Sequence, residues 1–402
     1  MSLARSTSFA ARFPLARLIG GLGAGQVIGW GSSFYLPTIL AGDISRDTGL
    51  SEEVVYAGVT VMLLVSATLA PWLGRKLDRG EARNIMTIGA VIAGLALCLV
   101  AISSSLVTYL LAWVVMGVGG AMFLTNSAFV AVAQLAGAGA RKAMTVLMLF
   151  TGAASSIAWP VLGFLDGALG WRSTCFVLAA VQLFLCAPFH WWLLETKLEK
   201  KAPALSARLV PEAVPPARHA AALLILVPSM CLSGFISWGL SVHLVDLLRH
   251  LGAEHAEAIW LASLLGVLQV SSRLIDLAMG SRHSPLLTGI AASALLSFSF
   301  AIALVPASIG SSTMAFMIVY GVGSGSMSLA RVMIPLALFG SRNFGRASGL
   351  LAAFQNVAFA LAPLIYAALF ERAGTAVVLW LSLGAGLLAL GGMIALFSMR
   401  RG

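Results

Sequence analysis

Charged residues are scarce in this sequence. Asp, Glu, Lys and Arg make up 10% of 402 residues, against about a quarter in a soluble globular domain. Apolar residues make up 59%, and the mean hydropathy is +0.96. This composition excludes a soluble globular fold and indicates an integral membrane protein. The net charge is +10, but the positive residues fall in short loops rather than on a basic surface, so we expect no nucleic-acid partner.

Cysteine is rare, and its spacing matches no metal or redox motif. Cys98, Cys175, Cys186 and Cys231 all lie inside apolar segments without CxxC spacing, which is typical of small core residues. The sequence also lacks the phosphate-binding GxxxxGK[ST] loop and the zinc motif HExxH. We therefore expect no cofactor, no metal site, no catalytic residue and no enzyme activity.

Apolar runs long enough to cross a bilayer fill most of the chain. A spanning helix needs about 20 mostly apolar residues, and the sequence offers twelve such segments, which predicts an all-α membrane protein with twelve transmembrane helices. We number them 1 to 12 in chain order: 17–41, 54–75, 84–103, 107–135, 143–167, 172–194, 220–247, 256–280, 285–306, 311–338, 347–370 and 375–399. The basic start of the chain leads into segment 1 without a clear cleavage site, so we interpret segment 1 as a retained helix.

Lysine and arginine predict the orientation. Among the lysines and arginines of the loops, only four fall on the side of the membrane opposite the N-terminus: Arg46, Arg172, Arg249 and Arg372. The positive-inside rule then places both termini in the cytoplasm. The charged, proline-containing stretch 195–219 reads as a cytoplasmic loop between an N-terminal six-helix bundle, 1–194, and a C-terminal bundle, 220–402.

The two halves resemble each other, as expected of a duplicated architecture. The tripeptide GVG occurs at 117–119 and at 321–323, and the environment of Trp30 (QVIGWGSSFYL) matches that of Trp238 (SGFISWGLSVHL). Phe150 and Phe354 are related by the same offset as the tripeptides. Such repeats predict two bundles related by a pseudo-two-fold axis along the membrane normal, with a solute site near the midplane between them.

The loop after segment 2 carries a family motif. Its sequence GRKLDRGEAR, 74–83, resembles the Gly-x-x-x-Asp-Arg-x-Gly-Arg-Arg/Lys signature of the major facilitator superfamily at Gly74, Asp78, Arg79 and Arg83, with Glu81 replacing the second glycine. PVLGFLDGALGWRSTCF, 160–176, is similar to that family's Pro…Gly-Trp-Arg…Phe transition. The resemblance implies the twelve-helix fold of a bacterial inner-membrane transporter with alternating access.

The same resemblance implies gating residues. In the family the loop carboxylate faces the N-terminal end of segment 11, whose unpaired N–H groups carry partial positive charge. Asp78 is thus expected to meet the chain near 344–346, with Gly74 allowing close packing and Arg79 or Arg83 strengthening the contact. The second-half copy of the loop, QVSSRLIDLAMGSR at 269–282, keeps Arg273 and adds Asp276 as further gating candidates.

Arg331 is the one charge inside segment 10. It lies about eight residues from the cytoplasmic end, roughly 12 Å deep at 1.5 Å per residue. Facing lipid it would cost about 2.5–3.5 kcal/mol on insertion scales. Three interpretations stay open: an ion pair with Asp276, a contact with an anionic solute, or a side chain that reaches the interface without a role. The matched position in the first half is Ser127, so the charge is asymmetric.

Other polar and aromatic residues lie at depths suited to a cavity. By analogy with the family, segments 1, 4, 7 and 10 line it, and bonding between helices is the alternative role for each polar residue. Gln355 and Asn356 are adjacent, so at most one of the two points inward. The candidate solute-binding residues are Gln26, Trp30, Asn126, Trp238, His243, Arg331, Gln355 and Asn356.

His243 raises the question of proton coupling. Histidine is the side chain that changes charge near neutral pH, so His243 is a candidate proton carrier, a polar wall residue or a residue at the membrane rim. It follows Trp238 by five residues, about 140° around a helix, so we expect that only one of them faces the cavity centre.

Segments 1 and 4 contain no acidic residue in their membrane-spanning cores, unlike those of many cation–proton exchangers. This absence favours an anionic or neutral solute, and import of an organic anion such as a monocarboxylate is our first prediction. Efflux of drugs or toxic compounds is the alternative, and a membrane sensor that transports nothing is the alternative from another class. We expect a monomer in the bilayer, with a small solute and protons as its other partners.

Overall fold

The computed structural model describes residues 12–136, 139–194, 214–279, 284–305 and 309–399. Within these ranges every regular element is helical, which confirms the all-α class. The helices are Arg12–Gly31, Leu36–Thr48, Glu52–Asp78, Ala82–Ile102, Leu106–Phe123, Thr125–Leu135, Ala140–Leu169, Trp171–Ala180, Val181–Cys186, Ala187–Leu193, Pro216–Arg218, His219–His250, His255–Met279, Pro285–Leu304 and Ile309–Met399.

Nine helical stretches in the described part of the chain are long and apolar enough to cross a membrane. The longest, Ser312–Met399, far exceeds the roughly 30 Å core of a bilayer. It is interrupted at Gly340 (φ 68°) and Gly374 (φ 82°), where only glycine adopts positive φ without strain. The run thus consists of three consecutive helices, 309–339, 341–373 and 375–399, in the places predicted for segments 10, 11 and 12.

Segment 1 differs from the prediction, because it is two helices rather than one. Arg12–Gly31 ends at a turn over 32–35, and Leu36–Thr48 follows with Pro37 in its first turn. A proline favours the start of a helix and disfavours helical backbone just before it, which accounts for the break. This pair is not among the nine candidate spans, so the total of twelve stays a prediction.

Segments 4 and 6 also contain irregular backbone. Segment 4 divides into Leu106–Phe123 and Thr125–Leu135, because Leu124 adopts an extended conformation (φ −73°, ψ −168°). Segment 6 passes through a π-helix at Val181–Cys186. Irregular backbone inside a membrane needs other partners for its polar groups, and the side chains that supply them belong to the candidate site.

The chain separates into two compact units. One contains 1–209 together with 341–353, and the other contains 210–340 together with 354–402. The stretch 341–353 joins the first unit because its backbone contacts the end of helix Glu52–Asp78. Residues 195–213 of the predicted central loop lie outside the described part of the chain, so the boundaries 1–194, 195–219 and 220–402 stay a prediction.

The Gly-Trp-Arg sequence at 170–172 organises a corner of the first unit. Gly170 has φ 77°, and the next two residues both donate to one carboxylate oxygen of Asp47, Trp171 through Nε1 at 3.1 Å and Arg172 through Nε at 2.9 Å. Arg172 also donates to the carbonyl of Ser103 at 3.1 Å. Part of the family-like motif therefore has a structural role, since it ties three helix ends together.

Candidate functional site

Arg331 lies in the second unit with its guanidinium against an aromatic ring. Its Cζ is 5.3 Å from the centroid of the Phe359 ring. The Nε and Nη2 atoms are both buried and, among the described residues, form no hydrogen bond. Cys231 and Arg273 lie within electrostatic range, and Arg273 adds a like charge. Two of the three guanidinium nitrogens of Arg331 are therefore buried without a hydrogen-bond partner in the described part of the protein.

The ion pair between Arg331 and Asp276, one of the three interpretations left open by the sequence, does not form among the described residues. Both residues are described, yet no carboxylate of the described chain comes within ion-pair distance of Arg331. Asp276 is buried with Arg273 on helix His255–Met279, and three residues of separation put the two on one helix face. We therefore discard the pairing as the role of Arg331 in this structure.

A stacked aromatic pair borders Arg331. The rings of Trp238 and Phe359 lie 4.6 Å apart with an interplanar angle of 6°. Gly234, one turn before Trp238, leaves the room for this arrangement. A Cβ on it would overlap the Phe359 ring and lie 3.3 Å from Nη2 of Arg331. Helices His219–His250, 309–339 and 341–373 thus converge on the guanidinium.

The side chains of His243 and Trp238 both contact helix 341–373. The Nε2 of His243 lies 3.0 Å from the carbonyl oxygen of Pro363, one turn beyond Phe359, which stacks on Trp238. The expectation that only one of His243 and Trp238 faces the cavity centre stays a prediction. What the structure adds is that both side chains reach helix 341–373.

The adjacent amides at 355 and 356 differ in burial. Gln355 is 7% exposed, and its Nε2 is buried without a hydrogen bond to any described residue. It lies one turn before Phe359 on the same helix face. Asn356 is partly exposed. Gln355 is thus the member of the pair that faces the packed interior near Phe359.

In the first unit, a chain of hydrogen bonds crosses the break in segment 4. Trp30 Nε1 donates to Thr125 Oγ1 at 2.7 Å, and Thr125 Oγ1 donates to Gln26 Oε1 at 3.1 Å. Gln26 Nε2 donates to the Phe123 carbonyl at 3.0 Å. Gln26 is fully buried, and these bonds fit its alternative role of joining helices.

The remaining polar candidate of the first unit is Asn126, next to the break. Its side chain is partly exposed. Ser127, the counterpart of Arg331 in the first half, is buried and donates to the Ala121 carbonyl at 3.0 Å. Asn126 therefore stays a candidate for solute contact, and Ser127 serves the local backbone.

Asp78 meets the chain where the family resemblance implies it. Its Oδ1 accepts from the backbone N–H of Gly345 and its Oδ2 from that of Arg346, both at 2.7 Å. The helices approach so closely that a Cβ on Gly74 would overlap the Gly345 carbonyl, and one on Gly349 would overlap that of Ala70. Two charge-assisted bonds and a glycine seam hold this contact.

Among the described residues the carboxylate of Asp78 accepts from backbone N–H groups and not from the loop arginines, so the added contact expected of Arg79 or Arg83 stays a prediction. The Arg83 guanidinium lies 3.8 Å from the centroid of the Trp191 ring, because Arg83 starts helix Ala82–Ile102, which packs on segment 6. Arg79 follows the end of helix Glu52–Asp78 as its C-cap. Neither donates to Asp78 among the described residues.

Some residues of the site carry no signal in the sequence. Phe359 is an apolar side chain in an apolar span, so only the fold reveals that it supports Arg331. Thr125 had a usable signal, because TNS at 125–127 is a run of N-cap-type residues inside a membrane segment. Within the described residues, no group of three or more His, Cys, Asp or Glu could hold a metal ion.

Comparison with known sequences identifies the family. The family model described as "Major Facilitator Superfamily" matches residues 22–270. The purine ribonucleoside efflux pump NepI of Shigella sonnei is 27% identical over 162 residues, 40% of each chain. NepI of Salmonella typhimurium is 28% identical over 152 residues, 38% of each chain. The chain thus aligns with well under half the length of these curated relatives.

Solved structures share the fold at lower identity. The crystal structure of the human organic anion transporter MFSD10 (TETRAN) superposes with a TM-score of 0.68 and 18% identity, over 94% of this chain and 99% of that one. The proton:xylose symporter XylE bound to 6-bromo-6-deoxy-D-glucose gives 0.67 and 14%, over 94% of both chains. These likenesses show the fold alone.

Proposed function

Because this chain belongs to the Major Facilitator Superfamily, and is therefore a membrane transporter, we propose that its solute is a small organic anion such as a monocarboxylate. One observation carries the proposal: the guanidinium of Arg331 lies inside a membrane span with Nε and Nη2 buried and without hydrogen bonds to the described chain. A buried cation without a partner is costly. A bound anion supplies that partner.

The unbonded atoms of Arg331 favour a carboxylate. Nε and Nη2 belong to one edge of the planar guanidinium, where two N–H groups point the same way and match the two oxygens of a carboxylate. Gly234 lies beside Nη2, and a Cβ there would come within 3.3 Å of this nitrogen. The stacked rings of Trp238 and Phe359 offer an apolar wall for the organic part of the solute.

We further propose that transport proceeds by alternating access between the bundles 1–194 and 220–402. A site near the bilayer midplane is then open to one side at a time. The contact of Asp78 with Gly345 and Arg346 would hold one of these states, and Arg273 and Asp276 are candidates for the corresponding role in the second half. Opening requires the two hydrogen bonds and the glycine seam to separate.

The test is uptake of lactate and benzoate, an aliphatic and an aromatic monocarboxylate, into liposomes containing the purified protein. Arg331→Ala is expected to abolish uptake of whichever probe the wild type carries, and Arg331→Lys to retain part of it, since lysine keeps the charge but not the fork. Arg249→Ala is the matched control, because Arg249 is an exposed arginine of the same unit. Full activity of Arg331→Ala would remove Arg331 from the mechanism.

Efflux of a planar organic compound is the second candidate. Two features favour it: the similarity to purine ribonucleoside efflux pumps over part of the chain, and the stacked pair of Trp238 and Phe359, since aromatic faces suit a planar ring. In the same liposomes, counterflow of inosine that survives in Arg331→Ala, with no uptake of either carboxylate, would favour this candidate over the anion.

A further inference from the structure

We propose that Thr125 is a positioning residue for Trp30, and that Trp30 meets the solute with its ring and not with its indole N–H. This inference rests on the proposed function together with the sequence-based prediction that Trp30 contacts the solute. Thr125 is not among the residues that the sequence predicts for the site. What singles it out is its place directly after the break at Leu124 and the two bonds that its single hydroxyl makes.

The break makes such a residue necessary. In a continuous helix the Phe123 carbonyl would accept from the N–H of Ser127 four residues later. The extended backbone of Leu124 (ψ −168°) breaks that pattern. The Phe123 carbonyl accepts instead from Gln26 Nε2, so segment 1 takes over a bond that segment 4 has lost.

Thr125 connects the side chains of Trp30 and Gln26. Its hydroxyl accepts from the indole of Trp30 and donates to the amide oxygen of Gln26. A hydroxyl has one proton to donate, and the direction follows from the partners, since an indole N–H only donates and a Gln Oε1 only accepts. The order Trp30 to Thr125 to Gln26 to Phe123 is therefore fixed in one sense. Valine at 125 would break two links while keeping the shape.

The consequence concerns specificity. Trp30 is partly exposed, yet its only polar atom is used at 2.7 Å inside the unit. The indole therefore offers the solute a rigid apolar surface, with an edge-on contact to Phe34 at 5.6 Å between centroids on one side. The polar contacts that a solute requires come from other residues. Thr125 thus contributes to solute specificity by holding the indole ring of Trp30 in place.

The other interrupted helices near Trp30 are also held by side-chain hydrogen bonds. Segment 1 breaks directly after Trp30, and Ser33 Oγ donates to the Gly29 carbonyl at 2.6 Å. Ser32 Oγ in the same turn accepts from Gln182 Nε2 at 2.9 Å, and Gln182 lies in the π-helix of segment 6. Three interrupted segments are thus linked by side-chain bonds, and among these bonds it is the one to Thr125 that holds a partly exposed aromatic ring.

The experiment compares Thr125→Val, which keeps the shape, with Thr125→Ser, which keeps the hydroxyl. In protein labelled with nitrogen-15 on the tryptophan indoles, Trp30→Phe identifies the Trp30 signal. Thr125→Val should move that signal upfield, and Thr125→Ser should restore it. In uptake of lactate or benzoate, Thr125→Val should raise KM about fivefold, the value of one neutral hydrogen bond, with the maximal rate largely kept.

Two controls make the test specific. Thr151→Val removes a hydroxyl that bonds only within its own helix, to the Met148 carbonyl, and should leave both readouts unchanged. In the Trp30→Phe background, Thr125→Val should add no further rise in KM. The proposal would be overturned if Thr125→Val raised KM as much in the Trp30→Phe background as in the wild type, or if it left the Trp30 indole signal unmoved. Absence of uptake of either probe by the wild type would contradict the proposed function, and the indole signal would still decide the bond.

Discussion

In the proposed function, single residues carry the recognition chemistry, and the sequence reveals the polar ones better than the apolar ones. Arg331 stands out because a permanent charge in an apolar span is rare and costly. Its environment does not: Phe359 and Gly234 are ordinary residues of apolar segments, and only the fold brings them to the guanidinium. Of the three interpretations of Arg331 that the sequence leaves open, the ion pair with Asp276 is not formed in this structure, because helical position alone does not show which neighbour a side chain reaches.

The first prediction at this scale concerns proton coupling. If His243 carries the proton, His243→Gln should abolish accumulation of solute driven by a pH gradient and leave solute exchange at symmetrical pH intact. Glutamine can still donate to the Pro363 carbonyl, which His243 Nε2 contacts at 3.0 Å, but it does not change charge near neutral pH. The measurement is uptake into liposomes with and without an imposed pH gradient. Accumulation that survives in the variant would make His243 a wall residue.

At the scale of elements, most of the architecture follows from apolar periodicity and length. Segments 2 to 12 appear in the predicted order with ends shifted by a few residues. The break in segment 1 had a local signal in Pro37, whereas the break in segment 4 was missed, because the energy that stabilises it comes from a side chain far along the chain. The extended backbone at Leu124 leaves the Phe123 carbonyl without a helical partner, and Gln26, 97 residues from Phe123, donates to it instead. The glycine seam was predicted only at Gly74, since Gly345 and Gly349 lacked a motif.

The close approach of Gly74 to Gly345 and Gly349 gives a prediction at the scale of elements. Gly74→Ala should destabilise the contact between helix Glu52–Asp78 and the chain at 345–349, because its methyl group would overlap a backbone carbonyl that has no rotamer to change. We expect a lower melting temperature and faster labelling of a cysteine introduced at Arg346. Gly163→Ala is the control, as nothing lies within 4 Å of a Cβ there. Equal labelling rates in the two variants would contradict a latch at this contact.

At the scale of the whole molecule, the twelve-segment count and the charge bias predict both termini on the cytoplasmic side. Green fluorescent protein fused after Gly402 should fluoresce, and alkaline phosphatase fused after Gly170 or Gly374, in loops predicted to lie outside, should be active. If the broken segment 1 did not span the bilayer, the count would be odd and the N-terminus would lie outside. A tag at the N-terminus that reacts with impermeant reagents in intact cells would show that result.

The central claim is that Arg331 binds the negative charge of the solute, and ligand and protein can be varied together to test it. The measurement is binding of benzoate and of benzamide, its neutral isostere, to wild type and to Arg331→Ala, with lactate and lactamide as a second pair. Breaking a buried charge pair costs about 2 kcal/mol or more, roughly 30-fold in Kd. We predict that the wild type binds the amide roughly 30-fold more weakly than the acid, and that the Kd values of acid and amide differ little in Arg331→Ala. The same preference for the carboxylate in both proteins would contradict it.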